Sequence, residues 1–294
     1  MELREYTSRY GAEGEVNARS IVRYVALSGL ANWYKLMGGM TCLVRERVQF
    51  LYLHHTFEEE VEPLRRMLQA LSQHYRLISY SEAVKRVLTS NIDRPYLCLS
   101  IDDGLKNALR FSQILKEFEV PACFFICPSL VGETNYQRLT EYCSLKFGMP
   151  PTELLSWDDV QRILKDGHEI GSHTMTHPVL ARLSVPQAED EIYRSREDLT
   201  RRLGRVDHFA WPEGRFFHFS ATAAKTVFDA GYKSCASAER GCHVPGQPLS
   251  ERSLCLRRDY FSANWPLNHV LYFMMKNCLT ATPQDSRWPS GWSE

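Results

Sequence analysis

Short apolar runs alternate along this chain with stretches whose apolar residues recur every three or four positions. Residues 48–53 read as a strand. The following stretch, 57–75, places Val61, Leu64, Leu68, Leu71 and Tyr75 at the spacing of an amphipathic helix. Residues 77–80 can form a short strand, and Ser79 with Glu82 supplies a capping box ahead of a helix over 83–88. A strand over 96–101 leads to a helix over 105–118, and the run 122–127 is apolar enough to be buried on both faces. The alternation then repeats. Ser156 opens a helix that stops at Gly167, residues 168–171 form a strand, and Ser184 with Pro186 begins a helix that runs to Leu203 and stops at Gly204. A strand over 208–211, a helix over 221–230 and an apolar stretch over 232–235 complete the series.

Repeated strand-helix units imply a parallel sheet. A closed sheet of that kind gathers its functional residues at the C-terminal strand ends. His54, Asp102, Asp103, His173 and Trp211 all fall at such ends. The domain expected to carry them spans residues 45–278, preceded by a helical extension over 1–44 and followed by a poorly ordered tail over 279–294, which is rich in Pro, Ser and Trp without periodicity. A long connection between Pro128 and Pro151, containing Asn135, Tyr136, Tyr142, Phe147 and Gly148, is assigned to substrate contact because connections of that length are uncommon without a role.

Composition narrows the functional classes. An apolar content of 44% suits a sizeable core, and 35 basic against 35 acidic residues give no net field to gather nucleic acid. The 9 cysteines are scattered, odd in number and without a Cys-x2-Cys pair, so they read as buried thiols of a reducing compartment. Residues 1–17 are polar and charged, without the apolar run of an export signal, and the expected location is the cytoplasm. Residues 21–40 are moderately apolar but carry Arg23, Asn32 and Lys35, which argues against a spanning helix. That stretch is either packed on the main domain or lies on a membrane surface as a peripheral contact.

The chemistry is concentrated in two places. Asp102 and Asp103 follow an apolar run and precede Gly104, and His173 and His177 stand four apart after another. Two neutral imidazoles and one carboxylate give a divalent ion three protein ligands and leave positions open, as in a catalytic zinc site. The second carboxylate can then act as a general base. Adjacent residues on a strand point to opposite sides, so both aspartates can serve one site only if the chain turns there, which Gly104 permits. His173 and His177 are expected to share one side of a helical turn. Each element alone is ordinary: Asp-Asp-Gly is a common exposed turn, and His-x3-His arises on many surfaces.

Together the motifs carry a resemblance. Ser100-Ile101-Asp102-Asp103-Gly104 resembles the T/S-F-D-D-G motif of the polysaccharide deacetylases (the NodB-homology family, carbohydrate esterase family 4), and Ser172-His173-Thr174-Met175-Thr176-His177-Pro178 resembles their S/T-H-S/T-x-x-H-P motif. Residues 50–55, ending in His54-His55, resemble the opening strand of many bacterial members. The resemblance implies an α/β fold, a distorted (β/α) barrel, that removes N-linked acetyl groups from amino sugars. It implies Asp102 as base and Asp103, His173 and His177 on a divalent metal, zinc first, with iron, cobalt, nickel or manganese admissible.

The chain also departs from that family. Ala210 in Phe209-Ala210-Trp211-Pro212-Glu213-Gly214 stands where the family's R-x-P-[YF] motif places an arginine that orients the base, so Arg215 or Arg257 is the expected substitute. The late histidine motif that supplies a general acid has no clear match. His54 is the catalytic candidate for that role, with His55, His243 and His269 as weaker ones, and His55, Trp211 and Pro212 are candidate substrate contacts. Two functions follow. One is an N-deacetylase acting on an amino-sugar glycan or a lipid- or nucleotide-linked precursor. The other is a catalytically silent carbohydrate-binding domain that keeps the metal site. Oligomeric state is left open.

Overall fold

The structure, a computed structural model, describes residues 18–147 and 150–292; the opening stretch 1–17 and Gly148 lie outside them. Eight strands run in parallel: β1 (Arg47–Leu53), β2 (Arg76–Leu77), β3 (Pro95–Ile101), β4 (Cys123–Ile126), β5 (Glu169–Ser172), β6 (His208–Ala210), β7 (Ser234–Ala236) and β8 (Asp259–Tyr260). Their order is β7-β6-β5-β4-β3-β1-β8, with the short β2 added beside β3. The segment carrying β8 meets both edges, pairing with β1 and forming a bridge from Leu256 to Ala236 of β7. The sheet thus curls into a distorted (β/α) barrel closed on that side by few hydrogen bonds.

Among the described residues the α-helices are α1 (Ala18–Leu36), α2 (Val61–Ser72), α3 (Tyr80–Thr89), α4 (Ala108–Glu117), α5 (Tyr136–Tyr142), α6 (Trp157–Lys165), α7 (Val185–Leu203), α8 (Ala221–Asp229) and α9 (Leu267–Thr280). Their starts obey local chemistry. Ser79 accepts a bond from the Glu82 amide, and Ser156 and Asp159 form a reciprocal capping box, as do Ser184 and Gln187.

The two sides of each strand have different company. Leu51, Leu53, Leu97, Leu99, Ile101, Phe124 and Ile126 pack outward with apolar faces of the helices. Val48, Phe50, Tyr96, Cys98, Cys123, Phe125, Ala210 and Ala236 fill the interior together with Leu254 and Leu256. Burial on both faces is why these strands read as continuous apolar runs rather than alternating ones. All nine cysteines are buried and free.

One expectation changes here. The tail is not loose: Pro283–Ser286 forms a 3-10 turn, Leu254 pairs with Arg287, and the buried Trp288 ring stacks near Trp211 and Phe219, with centroids 6.0 and 6.1 Å away. Its tryptophans are anchors, which a search for periodicity does not detect. The long connection after β4 is structured too, holding α5 and two short helical turns.

Candidate active site

Asp102 and Asp103 emerge where β3 ends. The Asp102 amide still donates to the Leu53 carbonyl at 3.0 Å, so the residue keeps strand alternation and its side chain follows Cys98 and Ser100 toward the interior. The chain then turns left-handed twice, at Asp103 (φ 76°) and Gly104 (φ 76°). That turn allows adjacent carboxylates to share one cavity; a non-glycine residue at positive φ is strained and characteristic of functional sites.

His173 extends the β5 ladder, its amide donating to Ile126 O at 2.9 Å. The expected helical turn between the two histidines is absent. Thr174 (φ 67°) and His177 (φ 60°) kink an irregular loop that brings the imidazoles together, with ring centroids 4.9 Å apart. Glu191 of α7 fixes this loop. Its carboxylate accepts from the Met175 and Thr176 amides at 2.9 and 2.8 Å and from the Thr176 hydroxyl at 2.7 Å, while the His177 amide donates to Thr174 Oγ1 at 3.0 Å.

Asp103 receives both histidines. Nε2 of His177 lies 3.1 Å and Nε2 of His173 3.5 Å from Asp103 Oδ1, and all three side chains are buried. Among the described residues they form the one cluster of His, Cys, Asp and Glu whose ligand atoms lie within 4.8 Å of one another. The set fits a divalent cation. Asp103 Oδ2 is buried without a hydrogen bond, and His173 Nδ1 lies 2.7 Å from Ala210 O. A carbonyl can only accept, so Nδ1 carries the proton and Nε2 presents its lone pair inward. Burial pushes the Asp103 carboxyl up, but the His177 bond and the charges of His54, His177 and His173 outweigh it and hold the carboxyl well below its usual range. Burial lowers His173 to about 4, against the pull of Asp102.

Asp102 has a different partner. Arg258 Nη1 and Nη2 each donate to one of its oxygens at 2.9 Å, and Nη1 also reaches Ser100 Oγ at 3.2 Å. The Arg258 Nε donates to Ser237 O at 2.9 Å, and its guanidinium lies over Tyr52 and Phe125 at 4.5 and 5.1 Å from the ring centroids. Burial opposes this cation, yet Asp102 foremost among its neighbours holds it firmly charged. A buried pair like this contributes little net stability, but loss of one partner strands the other.

Neither expected arginine does this. Arg215 pairs with Glu239 at 3.0 Å, and Arg257 bonds Asp285 O and lies 3.4 Å from the Asp285 carboxylate. The signal was in the sequence: Leu254, Leu256 and Arg258 alternate, and both leucines face the interior, whereas Arg257 is one residue out of phase.

These groups open into one cavity of about 330 Å³, walled also by Tyr52, His54, His55, Glu213, Gly214 and Tyr260. The His54 side chain is 33% exposed, with Nε2 3.9 Å from Asp103 Oδ2. His55 lies on the wall but is held beside Glu60, 3.4 Å away, and against Phe57. Trp211 contributes to the cavity wall, but as a packed ring rather than an exposed sugar platform. It is 0% exposed, stacked on Phe219 at 4.4 Å, and its Nε1 donates to Arg215 O. Pro212 is buried too, but lies outside the cavity wall. The wall after β6 is shaped by Glu213 (φ 64°) and Gly214 (φ 65°), where a Cβ on Gly214 would fall 2.2 Å from the Ala238 methyl.

The other histidines stand elsewhere. His243 Nδ1 is 2.8 Å from Ser286 Oγ, and its Nε2 accepts from the Arg257 amide; His269 Nε2 is 2.8 Å from Ser28 Oγ under α1. Tyr142, from the long connection, sets its ring edge-on to His177 at 5.9 Å and is buried behind that imidazole. Asn135 caps α5, accepting from the Arg138 amide.

A family model described as polysaccharide deacetylase matches residues 89–235, half the chain. A peptidoglycan-N-acetylglucosamine deacetylase of Bacillus cereus is 27% identical over 136 residues, 46% of this chain and 42% of that protein. An uncharacterised Bacillus subtilis protein, YlxY, is 26% identical over 44% of this chain and 35% of its own length. The chain thus spans less than half of each of these relatives. Among solved structures, the Streptococcus pyogenes deacetylase PplD, in complex with acetate, superposes with a TM-score of 0.61 at 19% identity, covering 78% of this chain and 98% of that one. IcaB from Ammonifex degensii gives 0.59 at 16% identity, with 78% and 97% covered. At such identities the superpositions show the shared barrel.

Proposed function

Because the chain belongs to the polysaccharide deacetylase family, we propose that it is a metal-dependent carbohydrate N-deacetylase, hydrolysing the amide between an acetyl group and an amino sugar of a glycan or glycan precursor. One observation carries this reading. A carboxylate locked by a buried arginine, Asp102, opens into the same cavity as the converged Asp103, His173 and His177.

Asp103, His173 and His177 would hold the cation, zinc suiting two imidazoles and a carboxylate best, with iron, cobalt, nickel or manganese also compatible. Such an ion supplies Lewis acidity, polarising a carbonyl oxygen and acidifying water. Asp102 takes the proton from the attacking water. Arg258 holds both its oxygens, so the accepting carboxylate is fixed before substrate arrives and little reorganisation remains for the transition state. The amine leaves well only when protonated, and His54, the partly exposed imidazole of the wall, is the proposed donor.

The silent-binder reading rested on a missing arginine at position 210 and on the unmatched histidine acid. Arg258, the residue just before β8, supplies a guanidinium to Asp102, which answers the first of these and favours the enzyme. The nine free, buried thiols support a cytoplasmic, reducing workplace. Acetate release from N-acetylglucosamine oligomers tests the proposal: activity that is lost on chelation and restored by added zinc supports it, and no release from any acetylated amino sugar with metal present overturns it.

A further inference from the structure

The apolar surface of α1 is turned the wrong way for a water-facing helix. Val22, Val25, Gly29, Trp33 and Leu36 form one stripe at three-and-four spacing, and Ala26, Leu30 and Met37 widen it; all are exposed, Val22 by 68%, Trp33 by 60% and Leu36 by 84%. Met40 and Val44, after the helix end, are exposed as well. The opposite side packs on α9: Tyr24 lies against His269, Ser28 bonds His269, Ala31 is fully buried, and Tyr34 meets Tyr272 edge-on. Patches this continuous mark a docking surface.

Charge decides the occupant. Between residues 18 and 46 the sequence carries Arg19, Arg23, Lys35 and Arg45 against a single acid, Glu46, in a protein whose overall charge is balanced. Apolar residues with an aromatic at the centre and basic residues around them match the boundary of an anionic bilayer, where the chains take the apolar face and the headgroups the cations. Among the described residues no helix is long and apolar enough to cross a membrane, so the fit is to its surface. Residues 1–17, with Glu2, Glu5, Glu13, Glu15, Arg4 and Arg9, offer little apolar area to cover such a stripe.

We propose that α1 and the turn after it dock this protein onto anionic lipid membranes. The helix that carries the patch is linked to the cavity wall: its Arg23 guanidinium sits 5.4 Å over Trp265, whose ring meets Tyr260 of the wall at 5.6 Å. Docking therefore holds the cavity beside the bilayer, and, resting on the deacetylase reading above, selects glycans attached to or lying near lipid.

Vesicle flotation tests this with the full chain and no substrate. Protein is mixed with vesicles of phosphatidylcholine alone or with added phosphatidylglycerol. The expected result is binding to the anionic vesicles, weakened by salt, and lowered at least about tenfold by Trp33→Glu with Leu36→Glu. That variant should keep its melting temperature and its turnover of soluble oligosaccharide. Absence of binding to either vesicle overturns the proposal. So does a dimer in sedimentation that the double substitution dissolves while vesicle binding is absent, since a second copy would then cover the patch. Because binding is read without turnover, a protein that floats but deacetylates nothing would sink the enzymatic reading and leave the docking intact.

Discussion

Arg258 and Asp102 meet fork to fork inside the barrel, two parallel N–H donations of 2.9 Å between side chains 156 positions apart in sequence. Lysine keeps the charge but offers a single ammonium in place of the planar fork. Arg258→Lys should lower turnover by about 10- to 100-fold through misplacement of the base, with metal content unchanged by elemental analysis. Full turnover in that variant would mean that Asp102 needs no orientation.

Glu191 is not among the residues lining the cavity, yet it holds the loop between the two histidines by two backbone amides and the Thr176 hydroxyl. Glu191→Ala should weaken metal binding by about 10- to 100-fold, the usual effect of losing a group that orients ligands. Competition with a chromophoric chelator measures this. An unchanged dissociation constant would show that the left-handed kinks hold the loop unaided.

Trp211 separates packing from recognition. Fully buried among Phe219 and Trp288, it should cost about 3–5 kcal/mol of stability when replaced by alanine, seen in urea denaturation. A sugar platform would behave in the opposite way, raising KM with little loss of stability.

The buried histidines make the fold acid-sensitive. Desolvation lowers His243 and His173 to about 4, so between the unfolded value near 6.5 and about 4 the unfolded chain binds more protons than the folded one. Stability is then complete above about pH 6.5 and declines as pH falls toward 4, by at most about 3 kcal/mol per histidine. His243, remote from the cavity, tests this in isolation. Denaturant melts of His243→Gln at pH 7 and pH 4.5 should differ less than those of the native sequence; an equal difference would assign the acid sensitivity to other groups.

Much of the site could be read along the chain because its chemistry is local. The apolar runs ending at Asp102 and His173 are strands whose exits converge, and Ser156 and Ser184 start their helices where capping demands. What escaped the reading depends on contacts between distant segments. Arg258 required knowing which phase of the extended segment leading into β8 faces inward, and Arg257 is the neighbour in the wrong phase. The histidine spacing suggested a helical turn because i and i+4 meet there. The loop reaches the same proximity through positive φ at Thr174 and His177, which no residue type at those positions announces. The tail looked loose because Trp288 and Trp292 have no period, but they are held by the aromatic group around Trp211 and Phe216.

The central claim is that Asp102 acts on the reacting water while Asp103, His173 and His177 hold the ion. It is tested most directly by acetate release from an N-acetylated glucosamine oligomer by Asp102→Asn, with zinc content per chain measured in the same preparation. The account predicts native metal content with turnover reduced by at least about a hundredfold, the scale of a lost general base. Turnover equal to that of the native sequence, or loss of the metal together with the carboxylate, would contradict it.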